Sequence, residues 1–296
     1  MIPFQPITLG DRALIHPFLL TSAYRNCDFS FANIYCWIHR YNTAYAIRDG
    51  FLFLRFYSEN EAGYMFPLGD GNIREAIETI FNDVTERGED SFLYMSREMF
   101  DILDGFYPRQ FDFQTNRDWF EYIYTSESLI SLTGKKLQPK RNHINKFKRN
   151  YPAYEYLPVT REIIPGCLDL YERWCKENGG CMKDESLVAE RQYTQKAFRH
   201  FEELGLTGGA IRVNGEIVAY SFGQQLSADT FGVHAEKSLY EIEGGFAIIN
   251  QQFAEHTCAN FVYINREEDM GLDSLRQAKM SYHPAFLLEK GYVTLK

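Results

Sequence analysis

Three acidic residues and a tyrosine near the end of the chain form the pattern with the clearest chemistry. Glu267, Glu268 and Asp269 follow one another directly, and Tyr282 ends a short predicted helix. When an acyl group moves to an amine, the nucleophile must lose a proton and the leaving group must gain one. We therefore predict Asp269 and Glu268 as catalytic residues, able to act as a base or to hold an ammonium group, with Tyr282 as the proton donor.

Arg276 and Lys279 lie three residues apart on the predicted helix, so they share one face. With Asp269 they are predicted to form the polar floor of a substrate-binding site. The same three residues also fit a buried ion-pair network that braces this helix against a sheet. Substitution distinguishes the two interpretations, because full transfer rates in both Tyr282→Phe and Asp269→Asn would exclude catalytic roles.

Basic residues are concentrated in residues 135–149, a segment without any acid that we call the basic strip. It holds seven of the 31 Lys and Arg, which leaves 24 basic groups against 40 acidic ones elsewhere. His143, Ile144 and Phe147 are interleaved as on an amphipathic helix, and Pro139 suits its first turn. The basic residues of the strip are Lys135, Lys136, Lys140, Arg141, Lys146, Lys148 and Arg149.

The basic strip is predicted to bind either a tRNA or an anionic lipid headgroup, since Lys and Arg are suited to phosphate. We assign substrate binding to Lys140, Arg141, Lys148 and Arg149. The alternative is a solvated helix that bridges two lobes. Removal of these four charges together is expected to weaken binding and to flatten its dependence on salt.

The composition sets broad limits on the class of protein. The 296 residues are 45% hydrophobic with a net charge of −9, which allows one large core or two ordinary ones and disfavours a DNA-binding protein. No apolar run approaches the ~18 residues of a membrane helix, and the start lacks signal-peptide features, so we predict a cytoplasmic protein.

The six cysteines show no zinc or disulfide spacing; we predict buried free thiols and no metal site. The oligomeric state stays open.

The elements that must position these residues follow one order twice along the chain. In the first half we predict helices 11–20 and 29–40, a hairpin of strands 44–48 and 51–57, a strand 63–67, a helix 73–87, a strand 91–95, a helix 97–103 and an apolar segment 119–124. In the second half we predict helices 161–178 and 185–204, strands 209–213, 216–226 and 230–236, a helix 245–259, a strand 261–265, a helix 272–282 and a strand 285–293.

This repetition predicts an α+β fold of two tandem lobes, each a mixed, mostly antiparallel sheet flanked by helices. Asp49-Gly50 and Asn214-Gly215 mark equivalent hairpin turns. We place the N-terminal lobe at 1–134 and the C-terminal lobe, with the active cleft, at 135–296. The alternative is one large α+β domain.

The order of elements resembles the Gcn5-related N-acyltransferase (GNAT) fold, in which an acyl donor lies between two splayed strands. The resemblance implies that Gly244 and Gly245 bind the donor, because free backbone N–H groups and a helix dipole favour phosphate. Glu241 and Glu243 stand beside them, and their charges would repel the pyrophosphate of coenzyme A. The alternative for the two glycines is a simple turn into the helix.

A more specific resemblance links the chain from about residue 136 onward to the C-terminal domains of phosphatidylglycerol lysyltransferases. It is carried by the basic strip, by GGFAIIN at 244–250 and by YINREEDMGLDSLRQAKMSYHP at 263–284. Members of this family, and the related Fem aminoacyltransferases, have tandem GNAT-like lobes. They move an amino acid from aminoacyl-tRNA to a lipid or peptide acceptor.

Both resemblances imply an acyltransferase. The leading hypothesis is transfer of an amino acid from aminoacyl-tRNA to a lipid or another small amine or hydroxyl acceptor, by direct attack on the aminoacyl ester. No cofactor is required besides the donor, which is aminoacyl-tRNA in this hypothesis and acyl-coenzyme A in the first alternative. Two alternatives stay open: an N-acyltransferase that uses acyl-coenzyme A, and a non-catalytic binding protein on the same fold.

Overall fold

Two β-sheets and their surrounding helices make up the computed structural model, which describes residues 1–59, 61–180 and 185–295. Within these residues the strands are β1 (Gln5–Pro6), β2 (Ala44–Arg48), β3 (Phe51–Ser58), β4 (Glu61–Met65), β5 (Leu68–Gly69), β6 (Ser91–Ser96), β7 (Gln114–Thr115), β8 (Glu121–Thr125), β9 (Glu155–Pro158), β10 (Thr207–Val213), β11 (Glu216–Gln225), β12 (Thr230–Ser238), β13 (Tyr263–Asn265), β14 (Phe286–Leu288) and β15 (Lys290–Leu295). The α-helices are α1 (Arg12–Thr21), α2 (Phe31–Cys36), α3 (Ile38–Tyr41), α4 (Ile73–Arg87), α5 (Arg97–Phe106), α6 (Ser126–Ser131), α7 (Gln138–Asn150), α8 (Ile164–Glu177), α9 (Glu185–Arg199), α10 (Gly245–Thr257) and α11 (Asp273–Met280).

The two sheets are built on the same plan. The first has the order β1-β2-β3-β4-β6-β15-β7, with β5 paired to β3, and the second has the order β14-β8-β13-β12-β11-β10-β9. Each contains one parallel pair, β4 with β6 and β12 with β13, in an otherwise antiparallel sheet. A helix connects each parallel pair, α4 in the first sheet and α10 in the second. The predicted α+β fold of tandem GNAT-like lobes is therefore confirmed.

Local signals account for several elements at their predicted positions. The turns Asp49-Gly50 and Asn214-Gly215 have positive φ angles at both residues, as two-residue hairpins require. Helix α4 has its predicted bounds because the Asn72 side chain caps its first turn and Gly88, with φ of 65°, ends it. The helix predicted at 29–40 is instead two helices, α2 and α3, which meet at Trp37.

The last predicted strand, 285–293, is divided between the two sheets. Strand β14 pairs with β8 in the second sheet, and after Glu289 strand β15 pairs with β6 and β7 in the first. Strand β8 comes from the first half of the chain, yet it completes the second sheet. The prediction of one strand is wrong here because each sheet is finished by a strand from the other half. A division into lobes at residues 134 and 135 stays a prediction.

One hydrophobic core runs from the first sheet to the helices that pack on the second. It joins Phe53 and Tyr64 to Tyr193 and Phe198 of α9 and to Phe222 of β11. A second core contains Tyr124, Phe147 and Phe253 among α6, α7 and α10. Because the first core is continuous, both sheets are held in fixed positions around the junction between them.

The cysteines agree in part with the prediction of buried free thiols. Cys27, Cys36, Cys167 and Cys258 are buried and free. Cys175 is disulfide-bonded, so the prediction is wrong for this residue, and Cys181 lies outside the described residues. No helix in the described part of the chain has the length and apolar character to cross a membrane.

Candidate functional site

The predicted acidic turn follows β13, at the junction between the two sheets. Lys279 of α11 donates hydrogen bonds to three successive backbone carbonyls, those of Arg266 (2.6 Å), Glu267 (3.2 Å) and Glu268 (2.5 Å). Glu267 has a φ angle of 56°, a left-handed conformation that is unfavourable for residues other than glycine. Lys279 thus stabilises the turn and sets the directions of the Glu267 and Glu268 side chains.

Glu267 belongs to a hydrogen-bond network that reaches helix α2. Its Oε1 atom accepts a hydrogen bond from Asn33 Nδ2 (2.9 Å) and lies 2.8 Å from His234 Nδ1. His234 Nε2 lies 2.9 Å from Ser30 Oγ, and this hydroxyl donates to Gln224. The order Ser–His–Glu matches a hydrolase triad, but Ser30 is 1% exposed and caps α2. The network therefore joins the lobes and does not present an accessible nucleophile.

A buried lysine is shared by three carboxylates beside the turn. Lys290 Nζ lies 2.6 Å from Glu121, 3.0 Å from Asp28 and 3.7 Å from Glu268. The side chains of Lys290 and Glu121 are 1% and 0% exposed, whereas those of Asp28 and Glu268 reach solvent in part. One ammonium group against three carboxylates leaves negative charge at the junction.

Burial and this imbalance of charge separate the pKa values of the three acids. Burial raises the pKa of Asp28, and it raises the pKa of Glu121 to about 7, in both cases against the opposing effect of Lys290. Burial acts in the same direction on Glu268, but the charge of Lys290 and a backbone hydrogen bond outweigh it and lower the pKa of Glu268. Asp28 and Glu268 are thus a pair whose environments push their pKa values apart, as in acid–base pairs.

Asp28 and Glu268 line a cavity of about 420 Å³ at the junction of the lobes. Glu59 and Glu61 also line it and add two carboxylates, and no Lys or Arg of the described residues lines it. Carboxylates combined with aromatic faces favour a cation such as an ammonium group. The aromatic walls are formed by Trp37, Tyr41, Phe56, Phe92, Tyr94, Trp119 and Tyr292.

Asp269 lies next to Glu268 but outside the residues that line this cavity. Its carboxylate accepts two hydrogen bonds from Arg276 (2.8 and 2.9 Å), one from the Tyr122 hydroxyl (2.5 Å) and one from the Gly271 N–H (2.9 Å). Burial would raise the pKa of Asp269, but Arg276 and Tyr122 outweigh it and hold this pKa far below its usual range. A carboxylate with these contacts is a weak base, so the geometry supports the bracing interpretation. Its catalytic role stays a prediction.

Tyr282 packs against two cations on the second lobe. Lys140 Nζ lies 4.1 Å and Arg266 Cζ 5.0 Å from the centroid of its ring. Burial raises the pKa of Tyr282 well above its usual range, so the hydroxyl keeps its proton at neutral pH. Tyr282 does not line the junction cavity. Its role as proton donor stays a prediction.

Most of the basic strip forms helix α7, which lies over the start of α10; Lys135 and Lys136 precede the helix. Pro139 is in its first turn, and Ile144 and Phe147 are buried, as predicted. Gly244 has a φ of 82°, and a Cβ there would lie 2.5 Å from the carbonyl oxygen of His143 on α7. Helix α7 therefore lies against Gly244, the first of the two glycines that the resemblance assigns to the phosphates of an acyl donor.

Apart from Lys140, which contacts Tyr282, the basic residues of the strip fall into two groups. Arg141 donates to the backbone carbonyls of Leu132 and Gly134, so it supports the chain after α6, and Lys146 pairs with Glu243 at 2.5 Å. Four others are exposed and make no ion pair with any residue that the structure describes: Lys135, Lys136, Lys148 and Arg149.

Cys27, Asp28 and Glu121 bring potential metal-ligand atoms within 4.8 Å of one another. The Cys27 thiol donates to Glu121 (3.3 Å), and burial raises the pKa of this thiol well above its usual value. Since Lys290 already contacts both carboxylates, we assign this group as a lysine-centred charge cluster and assign no metal to it.

Sequence reasoning missed Asp28, Glu121 and Lys290. The sequence does contain a signal for Lys290, because this lysine interrupts the apolar run of the last strand. A lysine buried there must find acidic partners. No such sequence signal exists for Asp28 or for the aromatic residues of the cavity, since their proximity to the acidic turn depends on packing between distant segments. Of the predicted residues, the structure brings Glu268 to the cavity and groups Asp269 with Arg276, while Lys279 supports the turn.

The fold and the junction site together define a tandem acyltransferase-like protein. The chain belongs to the phosphatidylglycerol lysyltransferase C-terminal family, whose family model matches residues 21–293.

Three solved structures are similar to it. A conserved protein of unknown function from Bacteroides thetaiotaomicron is 42% identical, with 100% of both chains covered and a TM-score of 0.95. L-PGS from Bacillus licheniformis is 14% identical over 90% of this chain and 92% of that one, with a TM-score of 0.64. FemX is 9% identical over 99% and 97%, with a TM-score of 0.61; the last two likenesses show the fold.

An uncharacterized protein of Mycoplasmoides gallisepticum is 23% identical over 172 residues. The match spans 57% of this chain and about half, 54%, of that relative.

Proposed function

We propose that this protein transfers an aminoacyl group from aminoacyl-tRNA to the hydroxyl or amine of a lipid or another small acceptor. The observation that carries the proposal is the cavity at the junction, where Asp28 and Glu268 meet aromatic walls beside a rigidly held acidic turn. The family membership supports transfer of this kind. In this proposal the cavity binds the ammonium group of the amino acid and so places its ester carbonyl for attack.

The charges of the cavity support an ammonium-bearing substrate over a neutral acyl group. Four carboxylates line it without a lining Lys or Arg among the described residues. An ammonium group within about 4–6 Å of an aromatic face gains roughly 0.5–2 kcal/mol, more when it loses its water. A carboxylate nearby adds attraction, so a donor without a positive charge would gain little here.

The two carboxylates nearest to Lys290 suggest a division of roles. Glu268, with its lowered pKa, stays ionised and holds the ammonium group. Asp28, with its raised pKa, accepts the proton of the attacking hydroxyl or amine as the new bond to the carbonyl carbon forms. The same proton then passes to the ribose oxygen as the ester bond to the tRNA breaks.

The exposed part of the basic strip is proposed to bind the tRNA. Lys135, Lys136, Lys148 and Arg149 extend from the protein without ion-pair partners among the described residues, and such groups gain from release of counterions on binding RNA. Coenzyme A is disfavoured as a donor because α7 lies against Gly244. The charge of Glu243 is paired with Lys146 and does not add to this argument.

Fluorescence provides a test, because two of the three tryptophans, Trp37 and Trp119, line the cavity. Titration with amino-acid amides, as substitutes for the aminoacyl end, is expected to change the emission and to saturate. Glu268→Gln is expected to weaken binding about tenfold, the effect of losing one charge-assisted contact, while the exposed control Asp90→Asn binds as wild type. Equal binding of N-acetylated amides would contradict an ammonium site.

A further inference from the structure

We propose that the junction cavity binds a linear polyamine, which serves as the amine acceptor of the transfer. This inference names the acceptor class of the same site, so its catalytic part rests on the proposed function. The observation behind it is the placement of the four lining carboxylates in two pairs. We call Asp28 and Glu268 the inner pair, and Glu59 and Glu61 the outer pair.

The two pairs lie at opposite ends of one face of the first sheet. Ala62, the residue after Glu61, pairs with Ser91 of β6. Lys290, which contacts the inner pair, pairs with Ser96 of the same strand. Ser91 and Ser96 are five residues apart, about 17 Å of strand, and the reach of the side chains reduces this span to on the order of 10–15 Å. A single ammonium group therefore contacts one pair only.

The surface between the two pairs is largely aromatic. Successive side chains of a strand point to opposite faces, so Glu61 and Met65 of β4 share a face, as do Phe92 and Tyr94 of β6. All four line the cavity. At Gly63 a Cβ would lie 2.5 Å from a ring atom of Phe92, so the glycine leaves room for this ring. Such a surface packs against methylene groups and attracts cations through the ring faces.

A buried hydroxyl lies along the middle of this span. Thr43 lines the cavity and is 7% exposed, and its hydroxyl has no hydrogen-bond partner among the residues that the structure describes. The next residue, Ala44, pairs with Arg55, which places Thr43 beside Phe56. Phe56 also lines the cavity and pairs with Gly63, between the two acidic ends. A buried hydroxyl without a partner is unfavourable, and the middle amine of a polyamine would donate to it.

The charges favour a ligand with positive groups at both ends. Glu59 and Glu61 are exposed and make no ion pair within the described part of the chain. The ammonium group of the donor amino acid is assigned to Glu268, so the outer pair needs another partner. A polyamine with a terminal ammonium group at each pair satisfies both, whereas four carboxylates repel an acceptor that carries a phosphate.

In the transfer, one terminal amine of the polyamine lies beside Asp28 and the other beside the outer pair. The inner ammonium group first loses one proton to water. Its nitrogen then attacks the ester carbonyl, so that the C–N bond of an amide forms and the C–O bond to the tRNA breaks. The second proton passes through Asp28 to the ribose oxygen. The products are an N-aminoacyl polyamine and uncharged tRNA.

The test of binding uses the full chain and calorimetry with spermidine and butylamine. Spermidine is expected to bind at least ~10-fold more tightly than butylamine, because it makes a second charge-assisted contact. Glu61→Gln is expected to remove this difference and to leave the affinity for butylamine unchanged. Asp90→Asn is the matched control, because Asp90 is an exposed acid before β6 that does not line the cavity, and it is expected to bind spermidine as wild type.

Thr43→Val tests the middle of the cavity. The comparison ligand is diaminooctane, which has the length of spermidine without its middle nitrogen. The variant is expected to bind spermidine about threefold more weakly, the loss of one hydrogen bond, and to bind diaminooctane as wild type. Equal losses for the two ligands would contradict a contact between Thr43 and the middle amine.

Three binding results would overturn the polyamine site. The first is equal affinity of the wild type for spermidine and butylamine. The second is an equal loss of spermidine binding in Asp90→Asn, which would show diffuse attraction to an acidic surface. The third is a loss of lysine amide binding in Glu61→Gln as large as the loss of spermidine binding, which would assign the outer pair to the side chain of the donor.

A transfer assay with labelled aminoacyl-tRNA separates this inference from the proposed function. Label is expected in spermidine, with KM for spermidine raised about tenfold in Glu61→Gln. Label in a lipid and none in spermidine would overturn the acceptor role and leave the proposed transfer in place. No label in any acceptor, with spermidine bound as expected, would contradict the transfer itself and leave the polyamine site in place.

Discussion

Lys290 and Glu121, both buried and 2.6 Å apart, connect the two strands that the lobes exchange. Lys290 opens β15 in the first sheet, and Glu121 opens β8 in the second. Each strand comes from the half of the chain that builds most of the other sheet. The ion pair therefore fixes the sheets against each other where Asp28 and Glu268 enter the cavity.

Loss of the lysine is expected to destabilise the protein strongly. Lys290→Met leaves the buried Glu121 without its positive partner, and such a change typically lowers the free energy of unfolding by about 3–5 kcal/mol. Urea unfolding measures it, with Lys148→Met as an exposed control that changes stability by less than about 0.5 kcal/mol. A loss below about 1 kcal/mol in Lys290→Met would show that the cluster does not depend on this charge.

The pKa of Glu121 predicts a dependence of stability on pH. Its folded pKa is raised from 4.5 to about 7, so the folded state binds more protons than the unfolded state between these values. The free energy of unfolding of wild type should therefore fall as pH rises from 4.5 to 7, and stay level above 7, by on the order of 1–3 kcal/mol relative to Glu121→Gln. Urea unfolding at several pH values checks this; parallel curves for the two proteins would disprove it.

Asp28 and Glu268 should affect different kinetic constants. Asp28→Asn removes the proposed proton acceptor and is expected to lower kcat about 10²-fold or more with KM nearly unchanged. Glu268→Gln removes a charge that holds the substrate and is expected to raise KM for aminoacyl-tRNA about tenfold. Steady-state kinetics separate the two effects, with Asp90→Asn as control. The opposite pattern would reverse the roles of the two acids.

Asp269 is expected to act through stability. Asp269→Asn breaks a buried network with Arg276 and Tyr122 and should destabilise the protein by about 3 kcal/mol, while the folded fraction keeps most of its transfer rate. Thermal unfolding and activity per folded molecule provide the comparison. A stable variant with a large loss of rate would restore Asp269 as a catalytic residue.

Local patterns in the sequence predicted much of the fold, because hairpin turns, helix caps and amphipathic spacing act over a few residues. The hairpin at Asp49-Gly50, helix α4 and the amphipathic helix α7 follow from such signals. The exchange of β8 and β15 could not be predicted in this way. Both read as ordinary strands, and which sheet they join is decided by long-range packing.

The candidate site was predictable only in part for the same reason. Glu268 was found because it lies in a short, unusual acidic segment. Asp28 and Trp37 lie over two hundred residues earlier in the chain, and their contact with that segment exists only in the folded protein. Asp269 looked equivalent to Glu268 in the sequence, but the alternating directions of neighbouring side chains place it against Arg276 instead of in the cavity.

The most direct test of the account is an aminoacyl-transfer assay with the full chain, a mixture of radiolabelled aminoacyl-tRNAs and a bacterial lipid and small-amine extract. We predict label in an acceptor with wild type and with Asp90→Asn, and at least about a hundredfold less with Asp28→Asn. No labelled acceptor with the wild-type protein, or wild-type transfer by Asp28→Asn, would contradict it.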